Sequence, residues 1–252
     1  MIEAAGISKR YGRSLVVDDV DLELPASGLT AIIGPNGAGK STLLSMIARL
    51  LPMDAGQARV AGLDVAKAPS DELARRLAIL RQENVVVSRL TVRDLVGFGR
   101  FPHSRGRMSA ADREKVEEAI GFLGLHEFAE RFLDEMSGGQ RQRAFVAMAL
   151  AQDTDVILLD EPLNNLDIRH AVEIMRLMRR AADERGKTVV VVIHDINFAA
   201  AYADRIVAMK NGRIACQGPV REVVTEPIIG EIFGLAVIVR EIDGQVTCLF
   251  QK

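Results

Sequence analysis

The chain contains no apolar stretch that approaches the roughly 18 to 20 residues of a helical membrane span. The run Val189 to Ile193 is strand-sized. The opening segment MIEAAGISKRYG lacks the apolar core of a secretory signal. A chain that stays in the cytoplasm unless a partner holds it at a membrane is therefore expected. Cysteine is scarce. Cys216 and Cys248 are spaced unlike a metal site or a disulfide framework, which predicts two reduced thiols. Four scattered histidines show no metal-ligand spacing. Neither sign of charge dominates, with 32 basic and 34 acidic residues and a net charge of −2. A dedicated nucleic-acid binder usually carries a basic excess, so none is expected. Internal repeats, low-complexity tracts and long linkers are also missing.

What remains is 252 residues at 48% hydrophobic content, enough for one large domain with a sizeable core. Leu29 to Gly34 (LTAIIG) reads as a short buried strand ending in glycine. Leu43, Leu44, Ile47, Leu50 and Leu51 then recur at helical spacing, and Pro52 is the expected stop. Val156 to Asp160 and Thr188 to Ile193 are continuous apolar or β-branched runs, as central strands of a parallel sheet should be. Asn211-Gly212 and Asp243-Gly244, each flanked by apolar residues, predict hairpins. Ile2 to Leu24 and Gln57 to Val65 look like short antiparallel strands. Between these parts, roughly residues 85 to 150 read as a helical insertion. Thr91 and Ser109 each have Asp three residues on, a helix-start pattern. From Ala110 to Leu125 one face carries Val116, Ile120 and Leu123.

The chemistry is concentrated in short strings. Gly34 to Ser41 reads GPNGAGKS, between a predicted strand and a predicted helix. Such a turn, formed by Gly34, Pro35, Asn36, Gly37, Ala38 and Gly39, points the successive backbone N–H groups of its non-proline residues into one concavity suited to phosphates. Glycine is needed because side chains would block close approach. Lys40 would reach the β- and γ-phosphates, Ser41 would ligate Mg²⁺, and Thr42 would add a bond to the α-phosphate. Asp160 ends the apolar run VILLD, where a carboxylate would be uncompensated unless it met a cation. Mg²⁺ shared with Ser41 would supply one. Glu161 follows, and strand alternation would aim it elsewhere. His194 directly follows VVVVI, at the strand end where α/β sheets bind ligands. Ser137 to Gln140 reads SGGQ just before the helical string QRQRAFVAMALAQ, so the hydroxyl and free N–H groups of Ser137, Gly138, Gly139 and Gln140 would form a second anion site.

The order of phosphate loop, SGGQ and acidic strand end resembles the ATP-binding cassette (ABC) proteins, and the resemblance covers essentially the whole chain. It implies an α/β fold with a P-loop NTPase (RecA-like) core, an antiparallel β subdomain and an inserted helical subdomain. The chain would be a single ABC ATPase domain over residues 1–252. Its approximate parts are 1–84 (antiparallel strands and the phosphate-loop part of the core), 85–150 (helical, with SGGQ) and 151–252 (the rest of the core and the C-terminal strands).

The resemblance also implies roles. Glu161 would be the general base for the attacking water. Gln82, in LRQEN, matches the glutamine that contacts Mg²⁺ or that water. His194 matches the histidine that hydrogen-bonds the γ-phosphate, and Tyr11, in SKRYG, the aromatic that stacks on adenine. Asp167, in LNNLD, matches the loop crossing a dimer interface. ATP would be buried between two copies arranged head to tail, contacting Lys40 of one and Ser137 of the other. Asn164-Asn165 stands where Ser-Ala is commoner, and Met136 replaces the usual leucine before SGGQ, a mild volume change. Arg141 and Arg143 are read equally as a solvated face or as functional groups.

One cassette without a span resembles the ATPase subunit of a bacterial importer, more closely the subgroup serving ferric siderophores, haem and cobalamin. That implies permease partners, an indirect role for a substrate-binding protein, and a place at the cytoplasmic face of the membrane. Ferric siderophore is the expected cargo, with haem or cobalamin as the alternative. Val96, Phe98, Phe101 and Pro102, near Gln82, are candidates to receive a permease helix, though Val96 and Phe98 fit internal packing equally well. A soluble ABC ATPase acting on ribosomes or DNA would usually carry fused cassettes or coiled-coil insertions, which this chain lacks. A scaffold that binds ATP without turnover fits poorly with Glu161 and His194.

Overall fold

The computed structural model describes residues 1–82 and 89–250. The expected subdomain boundary at 84/85 falls outside the described residues. Strands β1 (Ile2–Tyr11) and β2 (Ser14–Leu24) form a long, irregular antiparallel hairpin rather than short strands. Strand β3 (Gly28–Ile33) then leads through the phosphate loop into helix α1 (Lys40–Ile47). β4 (Ala55–Val60) and β5 (Leu63–Asp64) complete a four-stranded sheet of order β2-β1-β4-β5. A short helix α2 (Ser70–Ala74) precedes β6 (Leu77–Leu80).

The helical part holds α3 (Val92–Phe98), α4 (Phe101–Ser104), α5 (Ala110–Phe122) and α6 (Gly138–Ala151). After it come β7 (Val156–Asp160), α7 (Ile168–Arg185), β8 (Thr188–Val192), α8 (Ile196–Tyr202) and the hairpin β9 (Arg205–Lys210) with β10 (Arg213–Pro219). Helices α9 (Val220–Val223) and α10 (Glu226–Phe233) lead to a last hairpin, β11 (Val237–Ile242) and β12 (Gln245–Phe250).

The central sheet has the order β10-β9-β3-β8-β7-β6, parallel except for β10. Every residue of β7 and β8 is buried, which explains their unbroken apolar character. Alternation divides them between two cores. Val189 and Val191 pack with Ile157 and Leu159 against the helical side, while Val190 and Val192 pack with Leu158 and α1 on the other.

Both hairpin turns have positive φ at their two central residues, 51° and 79° at Asn211-Gly212 and again at Asp243-Gly244. That backbone matches the twist of the flanking strands. Thr91 and Ser109 each close a capping box, with Asp94 and Asp112 respectively. Asp112 has a second duty, because its other oxygen meets Arg100 Nε at 3.0 Å while Arg100 Nη1 donates to Ala151 O at 2.7 Å. This buried pair ties α5 to the end of α6. The Ser109 hydrogen bonds, reinforced by Arg100, hold the Asp112 carboxyl down to about 2.

Three further expectations change. Helix α1 ends at Ile47, well before Pro52, because Arg49 turns left-handed (φ 57°) and its guanidinium donates to Val65 O, Ala68 O and Ser70 Oγ. Leu51 still packs against the core, so the apolar pattern outlasts the helix. Helix α6 begins at Gly138, so both glycines of SGGQ lie inside its first turn rather than before it. Val96 is wholly buried, whereas Phe98 and Phe101 are 55% and 62% exposed beside a cleft of about 540 Å³ lined also by Leu90, Gly97 and Met108.

Candidate active site

Four neighbouring parallel strands, β3, β8, β7 and β6, deliver the candidate residues to their shared C-terminal edge. The phosphate loop leaves β3, Asp160 ends β7, His194 lies just past β8, and Gln82 sits exposed two residues beyond β6. Such an edge is where α/β sheets place ligands.

Two loop glycines are fixed by close backbone approach. A Cβ on Gly34 (φ 147°) would lie 2.2 Å from Met209 O, and one on Gly39 (φ 97°) 2.5 Å from Val16 O. The loop is thus wedged between β9 and β2. Gly37 (φ 78°) faces open space, and its conformation alone favours glycine. Asn36 is exposed, Pro35 half-buried, and Ala38 buried in the core beneath. Ser41 and Thr42, in the first turn of α1, are each half-buried.

Lys40 is 5% exposed, and its Nζ donates to the loop's own carbonyls, Gly34 O at 2.8 Å and Pro35 O at 3.0 Å. Burial pushes the Lys40 ammonium's pKa down, opposed by the nearby charges of Glu161 and Asp160. A buried cation held against a concave loop of backbone donors is suited to a polyanion.

Ser41 Oγ donates to Asp160 Oδ1 at 2.9 Å, joining the loop to the acidic strand end. Burial pushes Asp160 up, as does Glu161, while the Ser41 hydrogen bond opposes the rise. A carboxylate and a hydroxyl so placed fit a hard divalent cation, which would favour the charged form of Asp160. Among the described residues no closed group of three His, Cys, Asp or Glu side chains exists, so the remaining ligands would be phosphate oxygens and water.

Glu161 owes its placement to something other than strand alternation. It has left β7 and takes a left-handed backbone, φ 51°, strained by about 1–2 kcal/mol for a residue with a Cβ. Its side chain is 11% exposed and bracketed by two donors. His194 Nε2 stands 2.7 Å from Oε1, and the Asn164 amide donates to Oε2.

The SGGQ turn lies elsewhere. Ser137 caps α6, accepting from the Gln140 N–H at 3.3 Å, while the Gln140 side chain accepts from the Ser137 N–H at 3.0 Å. No hydrogen bond among the described residues joins this turn to the phosphate loop. Its neighbours are instead the acidic turn and α7. Gln142 Nε2 donates to Pro162 O at 3.0 Å, and the His170 ring lies so close that a Cβ on Gly139 would be 2.4 Å from it. Asp167 caps α7 through the His170 N–H and also meets His170 Nδ1, both at 2.9 Å. Those bonds hold the Asp167 carboxyl below its usual range. Met136 is buried among the helical-side core residues.

Tyr11 ends β1 half-exposed, next to the turn into β2, the strand whose Val16 touches Gly39. The two arginines of α6 divide. Arg141 is exposed, while Arg143 reaches Glu173 of α7 at 3.7 Å and keeps a buried Nε without a hydrogen-bond partner among the described residues. His170, Gln142 and Asn164 escaped the sequence reading. Only Asn164 left a trace there, as a departure from the commoner serine.

The sequence profile described as "ABC transporter" matches residues 17–164, more than half of the chain. The petrobactin import ATP-binding protein FatE of Bacillus anthracis is 54% identical over 233 residues, 92% of this chain and 93% of its own length. The petrobactin import ATP-binding protein YclP of Bacillus subtilis (strain 168) is 47% identical over 97% of each chain. Among solved structures, a dimeric ATP-binding cassette in a post-hydrolysis state bound to ADP and Pi is 31% identical. It superposes with a TM-score of 0.77 over 88% of this chain and 99% of that one. The chain belongs to the ABC transporter family.

Proposed function

We propose that this chain is the ATP-hydrolysing subunit of a bacterial importer, coupling hydrolysis at a head-to-tail dimer interface to uptake of a ferric siderophore through a membrane permease. The observation that carries this reading is a divided site. Lys40, Ser41, Asp160, Glu161 and His194 share one edge of the sheet, while no hydrogen bond among the described residues joins the Ser137 anion turn to the phosphate loop. A second copy turned end for end would bring its Ser137 turn over that edge, giving two-fold symmetry and two ATP sites. Ile168, 76% exposed beside Asp167, is a large apolar group suited to the seam.

In each site the loop N–H groups and Lys40 would bind the phosphates, with Thr42 on the α-phosphate and Tyr11 against adenine. Ser41, Asp160 and Gln82 would hold Mg²⁺, which neutralises phosphate charge when bound. His194 would turn from Glu161 to the γ-phosphate. The water oxygen attacks the γ-phosphorus, its proton passes to Glu161, and the bond to the β-phosphate oxygen breaks as ADP departs. Phosphate loss would then reopen the dimer.

No described helix is long and apolar enough to cross a membrane. In this reading a permease supplies the path and would hold this subunit at the cytoplasmic face. Exposed Phe98 and Phe101, flanking the cleft of the helical part, offer it a docking surface. Petrobactin, a cargo in the names of the relatives above, supports a siderophore. Deleting the gene and measuring uptake of ferric petrobactin, haem and cobalamin tests the cargo. Loss of the iron chelate alone is expected, and unchanged uptake of all three would overturn the reading.

A further inference from the structure

We infer that Asn164 is a positioning residue for the general base, holding one oxygen of Glu161 so that the other faces the attacking water. The inference rests on the reading of Glu161 as that base. Residues 161 to 164 form a tight turn in which the Asn164 N–H donates to Glu161 O at 3.2 Å. The Asn164 side chain folds back over this turn and donates from Nδ2 to Glu161 Oε2. Glu161 at φ 51° and Asn165 at φ 60° fix the backbone on both sides. Asn164 thus travels with Glu161, since both belong to one turn.

The two donors on Glu161 have different prospects. His194 comes from the end of β8 and is 37% exposed, so its ring can leave Oε1 when a γ-phosphate offers a stronger acceptor. That frees Oε1 for the water. Asn164 stays on Oε2. Without it the carboxylate torsion is broad, and the group spreads over orientations that do not face the water. A serine at this place would carry its hydroxyl one bond nearer the backbone, short of the amide's reach.

The test is steady-state ATP hydrolysis by the full chain, with ATP-driven dimerisation followed in parallel. Asn164→Ala and the isosteric Asn164→Asp both lose the donor. Each should lower kcat about 10- to 100-fold, as for a hydrogen bond to a charged group, with KM for ATP unchanged. Asn164→Gln keeps an amide at an exposed position and should recover part of the loss. Parental kcat in Asn164→Asp would overturn the inference. So would equal loss in all three variants with a raised KM, which would mark a general disturbance of the turn. Glu161→Gln separates the two levels. If it is inactive while Asn164→Asp is normal, only the role of Asn164 fails. If it turns over like the parent, the base itself is wrong.

Discussion

Gly139→Ala tests how closely the SGGQ turn is fitted against α7. The added methyl would sit 2.4 Å from Cγ and Cδ2 of His170. Carbon contacts settle at about 3.5 Å or more, so the ring must retreat by roughly 1 Å. His170 Nδ1 is 2.9 Å from Asp167 Oδ1, and a retreat directed away from Asp167 would break that hydrogen bond. Losing a bond to a charged group costs about 1.5–3 kcal/mol. Asp167 and Ser137 both belong to the proposed dimer face, so ATP-driven dimerisation should weaken roughly 10- to 100-fold. Sedimentation equilibrium in a Glu161→Gln background, where turnover is suppressed, measures this. A double-mutant cycle isolates the cause. His170→Ala loses the same bond but opens space, so adding Gly139→Ala to it should change little more. An equal further loss in the His170→Ala background would refute the steric reasoning.

Two other outcomes follow from the structure. Asp112→Asn breaks the buried pair with Arg100 and should destabilise the chain by about 3–5 kcal/mol. For a chain of this size that lowers Tm by roughly 6 to 20 °C in a calorimetric scan, and a change under about 2 °C would contradict it. Because the folded carboxyl is held to about 2, below its ordinary 3.8, its contribution is full above the higher value. It is lost as pH falls through the lower one. Phe101→Asp places a charge on the exposed aromatic at the start of α4, where a helix N-terminus tolerates an acid. Uptake should fall while ATP hydrolysis by the isolated subunit persists. Unchanged uptake would remove Phe101 from the permease surface.

Much of the fold was readable because its signals are local. The phosphate-loop glycines, the apolar runs of β7 and β8, the two Asx-Gly turns and the capping boxes at Thr91 and Ser109 each lie within a few consecutive residues. Contacts between distant segments were not readable. Nothing near Gly139 in sequence announces His170, and nothing near Arg100 announces Ala151. The end of α1 was misplaced because apolar periodicity reports burial, and Leu51 stays packed after the helix has stopped. Glu161 shows a different limit. The pleat predicts a direction different from that of Asp160, yet the placement of Glu161 arises from a left-handed turn that residue type does not advertise.

The most direct test is a crystal structure of Glu161→Gln grown with ATP and Mg²⁺. The expected result is two nucleotides at a two-fold seam, each γ-phosphate between Lys40 of one protomer and Ser137 of the partner subunit. A nucleotide enclosed by one protomer alone, with Ser137 turned to solvent, would contradict the divided site on which the proposed function depends.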